Sequence, residues 1–169
     1  NIYKKSYNIF ACCGILFNHE SPLRGMEFVS RKITNGVAEI SLGLKKELVL
    51  GNLKAERDWG FAGEYMSAIH LMLQQDKPDD YVISTGVAHS VTDFVKEAFD
   101  LVGLNWKKYV KTDPKFFRPL EVKHLRGDSK KAAKKLKWKS KVSFKKLVKI
   151  MVDEDVLRWK SFLDGKAFP

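Results

Sequence analysis

The chain has 169 residues, of which 44% are hydrophobic and 30% charged, and its formal net charge is +11. That length and balance suit one folded domain with a real core and exclude a disordered tail. No apolar run approaches the roughly 20 residues that cross a bilayer, and the polar, basic residues 1–7 are not expected to be a secretion signal. The chain does not begin with Met, and "NIYKKSY" reads as the tail of a helix, so a fragment lacking its N-terminal part is expected. Nine lysines fall within residues 130–146. Such a run is a solvated helix face plus a basic loop. It lacks an arginine-rich recognition helix, a zinc knuckle and an aromatic RNA-binding signature, so nucleic acid is not the expected partner. An anionic small molecule suits the charge equally well.

In chain order, residues 9–17 ("IFACCGILF") form the first strand. It is apolar on both faces, as in a buried parallel strand. Cys12 and Cys13 are adjacent within it and point to opposite faces, so free thiols and a cytosolic compartment are expected. Residues 27–44 carry Phe28, Ile33, Val37, Ile40 and Leu44 at near-helical spacing. Residues 48–50 are a short strand closed by Gly51. Residues 61–75 read as a helix with Tyr65, Ile69, Met72 and Leu73 on one face. Pro78 marks a turn, and residues 81–85 are a strand. Ser90 with Asp93 resembles a capping box for a helix to about Leu101, with Gly103 just beyond. Residues 106–111 suit a short edge strand. Asp128 can cap a helix to about Leu136. Ser143 can cap the last, whose stripe is Phe144, Leu147, Val148, Met151 and Val152. Strands alternate with helices, which predicts an α/β fold.

Three polar stretches stand out. "NHESPLRG" follows the first strand, and ligands in open α/β sheets bind beyond the carboxyl ends of strands. Asn18 can donate and accept, His19 can titrate near neutrality, and Arg24 suits a phosphate or carboxylate. A turn that only satisfies its own backbone is an equal alternative. In "LGNLKAERDWG", Arg57 can reach an anion, while Asp58 can cap the next helix or pair with Arg57 or another cation. In "DPKFFRPLEV", Arg118 sits among two aromatics and a proline and can bind phosphate or stack on Phe116 or Phe117, and Glu121 can accept from sugar hydroxyls. Three separated arginines suit a ligand with several negative charges, such as a nucleotide diphosphate. No Gly-x-Gly-x-x-Gly or Walker A loop occurs. The four histidines are scattered, so no metal site is expected.

"GILFNHESPLRGMEFVSRKIT", "LGNLKAERDWG", "VISTG" before "SVTDF", and "DPKFFRPLEV" before "LRGD" occur in the order seen in GDP-mannose 4,6-dehydratases. The chain therefore resembles that family of extended short-chain dehydrogenases/reductases (extended SDRs) along essentially its whole length. The resemblance implies that residues 1–169 hold the last elements of an NAD(P)-binding Rossmann domain, interleaved with the smaller α/β substrate domain. The N-terminal Rossmann half would be absent. It also implies NADP as cofactor and GDP-mannose as substrate. The product would be GDP-4-keto-6-deoxymannose, made by a cytoplasmic homodimer or homotetramer when full length. In such an enzyme a Tyr takes the 4-hydroxyl proton as hydride passes to NADP. A Glu then removes the C5 proton, water leaves C6, and the hydride returns there. Those catalytic groups are expected upstream of residue 1, so the chain alone is expected to be inactive. By the same resemblance, His19 and Arg24 contact NADP, Asn18 and Lys32 contact the substrate, Arg57 and Arg118 the diphosphate, and Glu121 a hydroxyl. Glu20 is expected to hold the loop.

Some positions depart from the family pattern. Leu23 replaces an Arg common before Arg24, Ser30 stands where Thr is frequent, and Lys137 and Ser140 stand where Gly and Pro are usual. Two other functions remain open at this point: another extended-SDR epimerase or reductase, and a stand-alone basic nucleic-acid-binding domain.

Overall fold

The computed structural model describes residues 2–117, 120 and 122–166. The chain opens with α1 (Ile2–Ser6), β1 (Gly14–Leu16), β2 (Asn18–Glu20), α2 (Val29–Ser41) and β3 (Leu48–Leu50). Then come β4 (Glu56–Arg57), β5 (Trp59–Phe61), α3 (Ala62–Leu73), β6 (Tyr81–Ile83), β7 (His89–Ser90) and α4 (Val91–Leu101). It closes with β8 (Val110–Thr112), β9 (His124–Leu125), α5 (Lys130–Lys135) and α6 (Phe144–Leu163). The strands pair mostly in parallel: β1 with β6, β2 with β5, β3 with β8 and β4 with β9. Only β4 with β7 runs antiparallel among the described ladders. Parallel neighbours need crossover helices, and α2, α3 and α4 supply them, so the α/β expectation holds.

The main core lies where α2, α4 and α6 cover β3 and β5. Ile33 and Val37 of α2 meet Phe94 and Phe99 of α4, Leu147 and Met151 of α6, and Leu48 and Trp59. Each helix offers apolar residues every three or four positions, so one stripe faces this core. A second cluster joins Tyr65, Ala68 and Met72 of α3 to Tyr81 and Ile83 of β6 and to Trp138. The β5–α3 corner is tight. A Cβ on Gly60 would lie 2.4 Å from the Tyr65 ring, so only glycine fits there.

Several elements depart from the sequence expectation. The first strand is three residues long, not nine, because its ladder with β6 opens only where Tyr81 N–H donates to the Cys13 carbonyl. Nor is it buried on both faces: β6 is its one neighbour among the described residues, and Ile15 is 56% exposed. The helix expected over 27–44 spans Val29–Ser41 and ends in a turn at Gly43, whose φ is +75°. On α3, Ala68 is buried and Leu73 is exposed, which corrects the expected face. Trp106–Lys108 is a 3-10 turn opened by the Asn105 side chain, and the strand starts at Val110. Asp128 does not cap α5. Ser129 holds that position without a side-chain bond, and Asp128 accepts from Lys130 N–H. The capping box forms as expected: Asp93 N–H donates to Ser90 Oγ, and Ser90 N–H donates to the Asp93 carboxylate. Ser143 caps α6 by accepting from Lys146 N–H. Cys12 and Cys13 are free thiols. No described helix is long and apolar enough to cross a membrane.

Candidate functional site

The stretch 18–25 divides in two. Asn18, His19 and Glu20 are not loop residues, because they pair as β2 with Trp59, Gly60 and Phe61. The turn proper begins at Ser21, whose carbonyl accepts from Arg24 N–H and whose hydroxyl accepts from Leu23 N–H. Glu20 is 1% exposed, and Ser30 Oγ donates to it at 2.6 Å. Arg24 Nε lies 3.1 Å from the same carboxylate, and the Arg24 guanidinium sits 3.4 Å above the Phe28 ring. The Arg24–Glu20 contact is an ion pair without hydrogen-bond alignment. Burial pushes the Glu20 carboxyl above its ordinary range, and Ser30, Arg24 and His19 oppose that rise. His19 Nδ1 is 2.9 Å from the Phe17 carbonyl, and its ring stacks on Tyr65. A carbonyl only accepts, so Nδ1 carries the proton and Nε2 is left as an acceptor.

Beside β2 lies a pocket of about 300 Å³. Asn18 reaches it from β2, Lys32 from α2 and Arg57 from β4, so the structure brings together three of the five expected substrate residues. Arg118 and Glu121 lie outside the described residues. His19 and Arg24 do not line this pocket. Glu20 and Ser30 form part of its wall.

Lys32 Nζ lies 4.2 Å from the centre of the Phe116 ring. Lost hydration, and secondarily the Lys45 charge, hold its pKa below the ordinary lysine value. Phe116 is therefore a platform for Lys32. It was expected only as a stacking partner for Arg118. Its segment comes close because residue 51 is glycine: a Cβ there would lie 2.5 Å from the Phe116 carbonyl oxygen. Arg57 is part of the scaffold as well as the pocket, since Nη1 donates to the Glu56 and Val122 carbonyls, both at 2.7 Å.

Asp58 neither caps α3 nor pairs with Arg57. It is fully buried and accepts from Thr85 N–H and Oγ1, from Gly86 N–H and from Gly127 N–H. Sequence reasoning missed Phe116, Asn52 and Ser30 as pocket walls. Phe116 sits in the "FFRP" stretch already singled out, but only the contact of its ring with Lys32 shows which way it faces.

A larger groove, of about 780 Å³, opens on the other side of Trp59. Its charged walls include three acids, Asp93, Glu97 and Asp100, and three lysines, Lys96, Lys141 and Lys145. None of the expected site residues lines it.

The smaller pocket gathers two cations and an amide from three separate elements, with the acids Glu20 and Glu27 also in its wall. The family described as GDP-mannose 4,6 dehydratase matches residues 1–151. This chain belongs to that family. It is 57% identical to GDP-mannose 4,6 dehydratase 2 of Arabidopsis thaliana, over 99% of this chain and 47% of that protein. It is 47% identical to the Homo sapiens GDP-mannose 4,6 dehydratase, over 91% of this chain and 46% of that protein. The chain thus spans about half the length of these curated relatives. Among solved structures, RMD from Pseudomonas aeruginosa complexed with NADPH superposes with a TM-score of 0.85 at 18% identity. That match covers 93% of this chain and 52% of RMD. The dTDP-glucose 4,6-dehydratase of Bacillus anthracis, in complex with NAD, gives 0.76 at 20% identity, over 90% of this chain and 47% of that one. The fold is that of the extended SDR dehydratases and epimerases.

Proposed function

We propose that this chain supplies the sugar-nucleotide pocket and part of the cofactor edge of an NADP-dependent GDP-mannose 4,6-dehydratase. The whole enzyme would convert GDP-mannose to GDP-4-keto-6-deoxymannose. Residues 1–169 would be its C-terminal part, holding Rossmann elements and the substrate domain interleaved. The observation that carries this is the convergence of Asn18, Lys32 and Arg57 on one pocket. Lys32 is partly desolvated there, and a diphosphate would give it a charge partner. Arg57, fixed by two carbonyls, offers a second cation at a set place. Asn18 can both donate to and accept from the sugar hydroxyls. Arg118 and Glu121 complete the proposed substrate set.

At the cofactor edge, His19 offers Nε2 and Arg24 its terminal nitrogens, which have no hydrogen-bond partner among the described residues. A hydroxyl can donate to Nε2 and a phosphate can accept from Arg24, which supports NADP. Held there by His19 and Arg24, NADP would supply the hydride chemistry. The chain contains no Tyr-x-x-x-Lys and no glycine-rich loop, so its residues bind and orient and leave the proton transfers to groups elsewhere in the enzyme. The two free thiols support a cytosolic setting. The full enzyme is taken as a homodimer or homotetramer.

Calorimetry and thermal shift test the pocket on the chain itself. GDP should bind and raise the melting temperature, UDP should do so less, and Lys32→Ala should weaken GDP binding about tenfold, the loss of one charge-assisted contact. No shift at millimolar GDP would sink the proposal, and equal shifts with GDP and UDP would remove its guanine specificity.

A further inference from the structure

The turn that carries Arg24 is held from outside the pocket. Asp155 of α6 is 1% exposed, and Arg31 of α2 is 7% exposed. Arg31 Nε donates to both Asp155 oxygens at 3.0 and 3.1 Å, and Nη2 lies 2.7 Å from Oδ1. Thr34 Oγ1 donates to Oδ2 at 2.6 Å. The remaining Arg31 nitrogen, Nη1, donates to the Pro22 carbonyl at 2.6 Å and the Arg24 carbonyl at 3.2 Å. Arg158, also on α6, donates to the same Pro22 carbonyl at 2.7 Å. Two guanidinium groups thus grip one turn by its backbone, and a carboxylate on the last helix aims the first of them. A buried ion pair adds little net stability over apolar packing of the same volume, so what this one chiefly supplies is position.

Position matters because of Glu20. Glu20 forms part of the wall of the pocket that holds Lys32 and Arg57. A bare carboxylate there would repel a diphosphate. Arg24, 3.1 Å away, offsets that charge only while the turn stays where it is.

We propose that Arg31, Asp155 and Arg158 are positioning residues through which α6 seats the Pro22–Arg24 turn, so that Arg24 neutralises Glu20 at the pocket wall. The inference rests on the reading of this pocket as a diphosphate site. Asp155 and Arg158 lie beyond residues 1–151, the span of the family match.

The test compares Asp155→Asn with Val148→Ala, a fully buried α6 core residue, at temperatures chosen to match their fractional stability. In Asp155→Asn, the amides of Leu23 and Arg24 should exchange hydrogen at least tenfold faster, and GDP should bind about tenfold more weakly. That is the order expected for an unneutralised charge near a phosphate at intermediate polarity. Val148→Ala should change neither. Arg158→Met, which leaves the Arg31–Asp155 pair intact, serves if Asp155→Asn fails to fold, and should give a smaller change in the same direction. Equal exchange in the positioning and core variants would overturn the proposal, as would faster exchange with unchanged GDP affinity. If the wild-type chain bound no GDP, the diphosphate reading would fall, while exchange would still decide whether α6 seats the turn.

Discussion

Lys137 has a φ of +54°, in the left-handed region, directly after the residue that closes α5. A side chain there costs about 1–2 kcal/mol, which glycine avoids. Glycine also gains freedom in the unfolded chain, worth about 0.4–1 kcal/mol in the opposite sense. The balance favours glycine by about 0.5–1 kcal/mol. Lys137→Gly should therefore raise the melting temperature by about 2 °C, as differential scanning calorimetry would show. The lysine is exposed and in none of the described ion pairs, so no other contact offsets the gain. A lower melting temperature would mean that the turn relaxes out of the left-handed region in solution. The departure from glycine at this position was visible in the sequence. That the backbone keeps the glycine conformation was not, because a lysine gives no sign of positive φ.

Among the elements, what was legible depended on how far apart the partners lie. The Ser90–Asp93 box closes over three residues, so spacing alone disclosed it. The stripes of α2, α4 and α6 follow the helical period and were equally open to inspection. Asp58 was misjudged because its partners, Thr85, Gly86 and Gly127, lie 27 to 69 residues away. No local pattern reports such a contact. The carboxylate ties the chain after β4 to the turn after β6 and to the approach to α5. Each oxygen accepts from two donors, so the site suits only an acceptor on both sides. Asp58→Asn turns one oxygen into an N–H group facing other donors. It should cost about 3 kcal/mol, the penalty for buried donors left unpaired. Urea unfolding would measure it. A cost below about 1 kcal/mol would show that the three segments are held by their apolar contacts alone.

At the scale of the whole molecule, two opposing properties set how the chain behaves in solution. A net charge of +11 keeps copies apart. Against that, β1 has one ladder neighbour among the described residues, and Ile9, Phe10 and Ile15 are 48%, 44% and 56% exposed. An unpaired edge beside an apolar strip is a template for association. Salt decides between the two. At about 0.01 M the Debye length is about 30 Å, so repulsion acts across the whole molecule, and near 1 M it falls to about 3 Å. Salt leaves the apolar attraction in place, so self-association should rise steadily with ionic strength. Ile15→Lys places a charge on the open face of β1 without touching either core cluster. It should keep the chain monomeric at high salt, with stability unchanged to within about 0.5 kcal/mol. Sedimentation velocity at 0.05 and 1 M salt, with and without the substitution, would measure both effects. Association that weakens with salt would instead mean that the lysine-rich surface of one copy meets the acids of another, and the β1 edge would not be the contact.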